Sequence, residues 1–400
     1  MILYRYRTYE NAVRELQKQT IYFADRNETN DPDMEGMLHI YWQGDSIAWR
    51  GLFKNYVCSL QLSLFRFLID PQRDQIEDLL AMVDVNCFDD VPLGKSFEKA
   101  STQFLTMPEV QKLINALEEN NIAMSANDLI FVLRMLHAKG ICICANALKE
   151  QMPSEMYSLL SRLGALMDHD FYEKMIKYVL SKNDEERNSQ SNAMNRRHDD
   201  QIRNLITKIK DEGKKNLLHL IWDFPSAYIK DLEEFIHPKA YVTCFTSNDM
   251  DSSMWGSYAG SFSGVCMIYE THRVHDEESL FIEKPYSLSS QGVSKCYQDM
   301  KLYKVKYGGD PQKANFFTML GQFNAKQLYS WLADSNGERS KCLNAIYDDI
   351  DTWRQNYWDC LIERYCRKTT SWEHENEYRL LLIDSFFDYS DKESRKLTYT

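Results

Sequence analysis

The chain lacks most of the short signatures that announce a chemistry. There is no GxxxxGK[ST] loop and no GxSxG turn, which argues against a P-loop nucleotidase and against an ordinary serine hydrolase. The histidines show no HExxH or other ligand spacing, so no catalytic metal is expected. The cysteines include no CxxC pair; they read as mostly buried thiols of a reducing compartment, and Cys142 and Cys144, in GICIC, as core packing. No apolar run approaches the ~20 residues of a bilayer span. The start, MILYRYRTYE, has no apolar region ending in a small-residue cleavage site, so no export signal is read and cytoplasm, without membrane contact, is the expected location. Positive charge is also in deficit. A formal net charge of -12 repels nucleic acid in bulk, and with Lys and Arg dispersed, tight nonspecific DNA or RNA binding is not expected. No segment repeats at a fixed period.

What is present is an ordinary globular composition, 44% hydrophobic and 26% charged, in a chain long enough for two or three domains' worth of core or one domain with a large insertion. Ile2 to Tyr6 alternates as a short strand. Tyr9 to Gln19 is an amphipathic helix with Val13 and Leu16 inward, and Ile21 to Ala24 is a second strand before an acidic turn at Asn30, Asp31 and Pro32. From about residue 71 to 235 the spacing turns helical. Residues 182–200, poor in apolar side chains, are a mobile loop or a solvated helix extension. Strand patterns return at 241–270, at Leu302 to Tyr307 and at Tyr378 to Ile383. The expected fold is α+β. A split antiparallel or mixed sheet is built from residues 1–70, 236–310 and 369–400, a helical insertion occupies 71–235, and a further helical segment covers 311–368.

The stretch YVTCFTSNDMDSSMWGSYAGSFSGVCMIYE, residues 241–270, organises the rest. Tyr241 to Phe245 reads as a strand entering a polar loop, and Met254, Trp255, Tyr258 and Ala259 recur at helical spacing. Gly260 and Gly264 free the backbone to turn into a second strand. Chemistry usually sits at such strand ends, although Trp255 and Tyr258 can equally be core.

Three stretches together resemble the prokaryotic domain-of-unknown-function family 2971: LYRYR with IYFADRNETNDPDMEG, then CFT...MWGSYAG...GVCMIY, then K...SW..ENEYRLL. Thr246 stands where that pattern has serine, and Glu35 lies beyond the turn. The layout further resembles, at fold level, the split-sheet ADP-ribosyltransferases, including the DNA-modifying toxin group. That resemblance implies NAD as substrate, a macromolecular acceptor, protein or nucleic acid, and a toxin or phage-defence setting. The helical insertion would dock a protein partner.

The physical requirements of that chemistry can be matched to residues. Cleaving the nicotinamide glycosidic bond passes through an oxocarbenium-like state that a carboxylate stabilises, a role open to Glu377 or Glu375. If both lie on one strand they share a face. Tyr258 or Trp255 can stack on the nicotinamide ring, and Arg5 or Arg7 can hold the pyrophosphate. Asn30 and Asp31 either line the cofactor site or form a turn. Alternatively, Arg5 or Arg7 pairs with Asp31 or Glu35, Glu377 and Arg379 are surface charges, and Trp372 packs against the last strand. Two other functions fit the sequence: a noncatalytic nucleotide- or phage-component-binding sensor, and a nuclease holding magnesium on Asp31, Glu35, Glu375 and Glu377.

Overall fold

In the computed structural model, residues 1–30, 38–73, 92–164, 169–310, 312–383 and 387–399 are described. They build two compact units. A sheet unit comprises Met1–His39, His237–Gln312 and Gln355–Thr400, and a helical unit comprises Ile40–Ile236 and Lys313–Arg354. The fold is α+β, as the sequence pattern predicts. Among the described residues, no helix is long and apolar enough to cross a membrane.

The main sheet of the sheet unit has five strands in the order Tyr303–Lys304, Glu377–Ile383, Ala240–Thr246, Ile2–Arg7 and Val265–Glu270. Every neighbouring pair is antiparallel. Strands from both ends of the chain therefore meet on the 241–270 stretch. Alternation along each strand decides which face a residue serves. Leu3, Tyr241, Phe245, Leu380 and Leu382 share one buried core with Leu280, Ile282 and Leu397 of a second antiparallel sheet. Ala240, Val242 and Leu381 face the other way, onto Leu361, Tyr365 and Cys366 at the end of the helix Ile350–Tyr365.

The first helix, Tyr9–Lys18, departs from its apolar pattern. Leu16 is exposed, and Ala12 and Glu15 are the buried residues. Glu15 is drawn in because it receives both arginines of the first strand. Arg5 Nη1 lies 3.0 Å from its Oε2, and Arg7 Nη2 lies 2.8 Å from Oε1. Two charge-assisted pairs outweigh the burial of one leucine on a small helix face.

The 241–270 stretch forms a strand, the short helix Ser252–Tyr258 and a strand. Its two glycines act differently. Gly260 has φ +55° and lets the chain reverse. Gly264 is required for space: a Cβ there would stand 2.1 Å from the Arg7 carbonyl oxygen and 2.8 Å from that of Ala259. Because the obstruction is backbone, Gly264→Ala should cost about 2–3 kcal/mol, the upper part of the overpacking range, measured as a lowered urea midpoint at unchanged slope.

The helical unit begins earlier than the composition shift at residue 71. The helix Ser46–Ile69 belongs to it, as does the later segment Lys313–Arg354. That helix buries residues on every side, from Trp49 and Phe53 to Leu60 and Leu64. Having no polar stripe, it must be enclosed by other helices. Residues 182–200 form a helix extension within Asp184–Ile206, capped by Asn183. It is anchored where Arg187 and Asp128, both 1% exposed, pair at 3.2 Å. Residues 74–91, within the stretch where the spacing turns helical, lie outside the described residues.

Candidate functional site

The first strand and the central strand, Ala240–Thr246, are paired at one register position, Tyr4 with Thr246. Further along, Val242 is bonded to Ala24 instead, with N–O distances of 2.7 and 2.9 Å. A cavity of about 290 Å³ lies at this split. Its lining includes Arg5, Arg7, Asn30, Tyr258, Glu375 and Glu377, together with Tyr6, Glu28, Cys244 and Lys368. Six of the eight residues singled out from sequence thus converge on one cavity. Trp255 is not part of the lining; it packs edge-on against Tyr6 at 5.1 Å. Asp31 lies outside the described residues.

The floor of the cavity is a buried charge cluster that the sequence reading did not foresee. Lys368 Nζ sits 2.7 Å from Glu375 Oε2 and 2.9 Å from Glu377 Oε2. Arg379 closes on Glu377 from behind, with Nε 2.8 Å from Oε1 and Nη2 3.1 Å from Oε2. All four side chains are almost fully buried, so Glu377 and Arg379 are not surface charges. Trp372 covers the Lys368 ammonium at 4.9 Å from its ring centroid, a cation–π contact as well as packing.

The two glutamates do not share a strand. Glu375 ends the 3₁₀ turn Thr370–Glu375, Asn376 takes a left-handed conformation with φ 43°, and Glu377 opens the last core strand. They meet because the kink at Asn376 brings both to one lysine. The backbone is pinned there as well. Thr246 Oγ1 donates to the Glu375 carbonyl at 2.5 Å, and the Glu377 amide donates to the Tyr307 hydroxyl at 2.8 Å.

Burial alone would raise the pKa of Glu377, but Arg379 and Lys368 outweigh it and hold the carboxyl well below its usual range. Burial would likewise lower Lys368, yet Glu377 and Glu375 raise it above the ordinary lysine value. Both partners stay charged at neutral pH. Tyr258 donates to Glu375 Oε1 at 2.6 Å. Burial first, and then that carboxylate, push its hydroxyl up despite Lys368, so it remains a donor.

On the opposite wall Arg5 and Arg7, two residues apart, lie on the same side of the strand, and both are engaged by Glu15. The alternative partners Asp31 and Glu35 lie outside the described residues. Arg5 also stands over the Phe245 ring at 5.9 Å. At the rim, Glu28 accepts from the Tyr22 hydroxyl at 2.7 Å and from Arg395 at 3.2 Å. Burial opposes its charge, but the Lys392 and Tyr22 hydrogen bonds prevail and bring its pKa to about 2.

Lys368 and Glu28 are the lining residues that motif spacing missed. Lys368 stands in the K...SW..ENE pattern, but its separation from Glu377 carries no sign of contact until the turn is folded. Of the four carboxylates in the magnesium reading, Glu375 and Glu377 are bridged by the Lys368 ammonium, and Asp31 and Glu35 lie outside the described residues.

No curated protein and no solved structure matches the chain. A family model described as protein of unknown function, DUF2971, matches residues 254–380, a stretch that carries Tyr258, Lys368, Glu375 and Glu377, so this part of the chain is similar to that family.

Proposed function

We propose that the cavity of the sheet unit binds NAD and cleaves its nicotinamide glycosidic bond, passing ADP-ribose to a macromolecular acceptor or to water. The observation that carries this reading is the pair of buried carboxylates bridged by Lys368 on the floor of the cavity whose wall holds Arg5, Arg7 and Tyr258. As the bond breaks, positive charge develops on the ribose. A carboxylate already ionised and immobilised stabilises that charge without reorganising. Glu377, locked by Arg379 and Lys368, supplies the fixed anion. Glu375, which carries the neutral partner Tyr258 beside Lys368 where Glu377 is clamped by Arg379, is the carboxylate assigned to touch the ribose hydroxyl or the incoming acceptor.

One observation favours a second reading, a noncatalytic nucleotide sensor. The charged groups Arg5, Arg7, Glu28, Lys368 and Glu377 are each paired within the protein, as in a pocket built for stability and recognition.

Incubation with NAD labelled in its adenine part, in the presence of cell extract, separates the two. Nicotinamide release or label transfer that fails in Glu375→Gln supports the enzyme. A rise in melting temperature with NAD and no turnover supports the sensor. Neither turnover nor stabilisation by NAD removes both.

A further inference from the structure

We propose that His198, Asp199 and Asp223 of the helical unit form a binding site for a divalent first-row transition ion, a site independent of the NAD reading. One ligand atom from each residue lies within 4.8 Å of the other two. Three donors each ~2.1 Å from one ion stand about 3–3.5 Å apart. Side-chain rotation of roughly an ångström therefore closes the set.

Two observations point to a ligand beyond the clustering itself. The Nδ1 atom of His198 is buried and has no hydrogen-bond partner. Its nearest charged oxygen, Asp199 Oδ1, is 3.7 Å away, too far for a hydrogen bond. A buried ring nitrogen left unpaired is costly, and an ion between it and the carboxylates would satisfy it. The second concerns Asp223. It occupies the N-cap position of the helix Phe224–Phe235, where aspartate normally caps, but its side chain makes no cap hydrogen bond. Its carboxylate turns instead to His219, with Nδ1 2.5 Å from Oδ2. That hydrogen bond fixes the Asp223 carboxylate, as ligating carboxylates are fixed by partners behind them.

The remaining neighbours fit. Arg134 holds Asp199 through Oδ1, and it also donates to Asn195 Oδ1 at 2.9 Å and to Ser226 Oγ at 2.7 Å. It thereby fixes the carboxylate, leaves Oδ2 to the ion and offsets part of the negative charge. Trp222 flanks the His198 ring at 5.9 Å. One imidazole with two carboxylates selects ions such as Zn²⁺, Mn²⁺ or Fe²⁺ over Ca²⁺ and Mg²⁺. His198 lies within the helix Asp184–Ile206 and Asp223 in the turn before Phe224–Phe235, so no motif spacing reveals the set.

The test uses the full chain, stripped with chelator, desalted and titrated with ZnCl₂ by calorimetry. One Zn²⁺ per chain is expected, with affinity reduced at least tenfold in His198→Gln and in Asp223→Asn. His272→Gln, which alters a histidine of the sheet unit, should leave it unchanged. Should a variant fail to fold, Co²⁺ added to the unaltered protein decides, through a paramagnetically shifted imidazole proton signal. No stoichiometric Zn²⁺, binding that survives His198→Gln, equal competition by Ca²⁺, or a Co²⁺ complex without that signal would overturn the proposal.

Discussion

Lys368→Met is expected to lower the stability of the folded protein by about 3–5 kcal/mol, the cost of leaving the buried Glu375 carboxylate without its lysine and Glu377 with Arg379 as its remaining cation. The lysine is nearly inaccessible, and it bridges Glu375 and Glu377. Methionine keeps the length of the stem, so packing is little changed and the loss is electrostatic. The pH dependence identifies the cause. Glu377 is held below its ordinary 4.5, so the stability it contributes is present above that value and disappears as pH falls through the folded pKa. Lys368 is raised above its ordinary 10.5, so its contribution is present below that value and disappears only as pH rises through the folded one. The gap between the unaltered protein and Lys368→Met should therefore be widest between about pH 4.5 and 10.5 and should narrow in acid, where the stranded carboxylates take up protons. Urea unfolding across that range measures it. A gap under 1 kcal/mol, or one indifferent to acid, would mean that the cluster does not act as a charge assembly.

Glu375→Gln is expected to reduce nicotinamide release from NAD by about 10²–10³-fold, the loss seen when one preorganised electrostatic group is removed from a transition state. The amide keeps the shape of the side chain and can still meet Tyr258. It cannot offer a full negative charge to the ribose. Because the ground state carries less of the developing charge, NAD should still stabilise the variant against heat, with kcat falling and KM nearly unchanged. Activity equal to that of the unaltered protein would exclude Glu375 from the chemistry. Loss of NAD binding along with activity would make it a binding residue.

The architecture of the sheet unit could be read from local patterns. Ile2 to Tyr6, Tyr241 to Phe245 and Tyr378 to Ile383 are short apolar, β-branched or aromatic runs bounded by polar turns, a pattern that strands satisfy. The same holds for the strand, helix and strand of 241–270. Residues whose position depends on charge pairing were less legible. The apolar pattern puts Leu16 inside, whereas the two arginines of the first strand draw Glu15 in and leave Leu16 exposed. The segment 182–200 looked too polar for a packed element, yet Arg187 anchors it by one buried ion pair. The extent of the helical unit was hidden because Ser46–Ile69 has the apolar content of a core helix, and composition does not say which core encloses it.

The candidate site divides along the same line. Glu375, Glu377, Tyr258, Arg5, Arg7 and Asn30 stood out as residue types placed at strand ends and turns, which depend on short-range pattern. The cation between the glutamates, the acid that takes both arginines, and the meeting of His198 with Asp223 were settled in three dimensions. Backbone periodicity is imposed by neighbours a few residues apart and so is written along the chain. Pairing of buried charges depends on distances between segments, which exist only once the strands have taken their register.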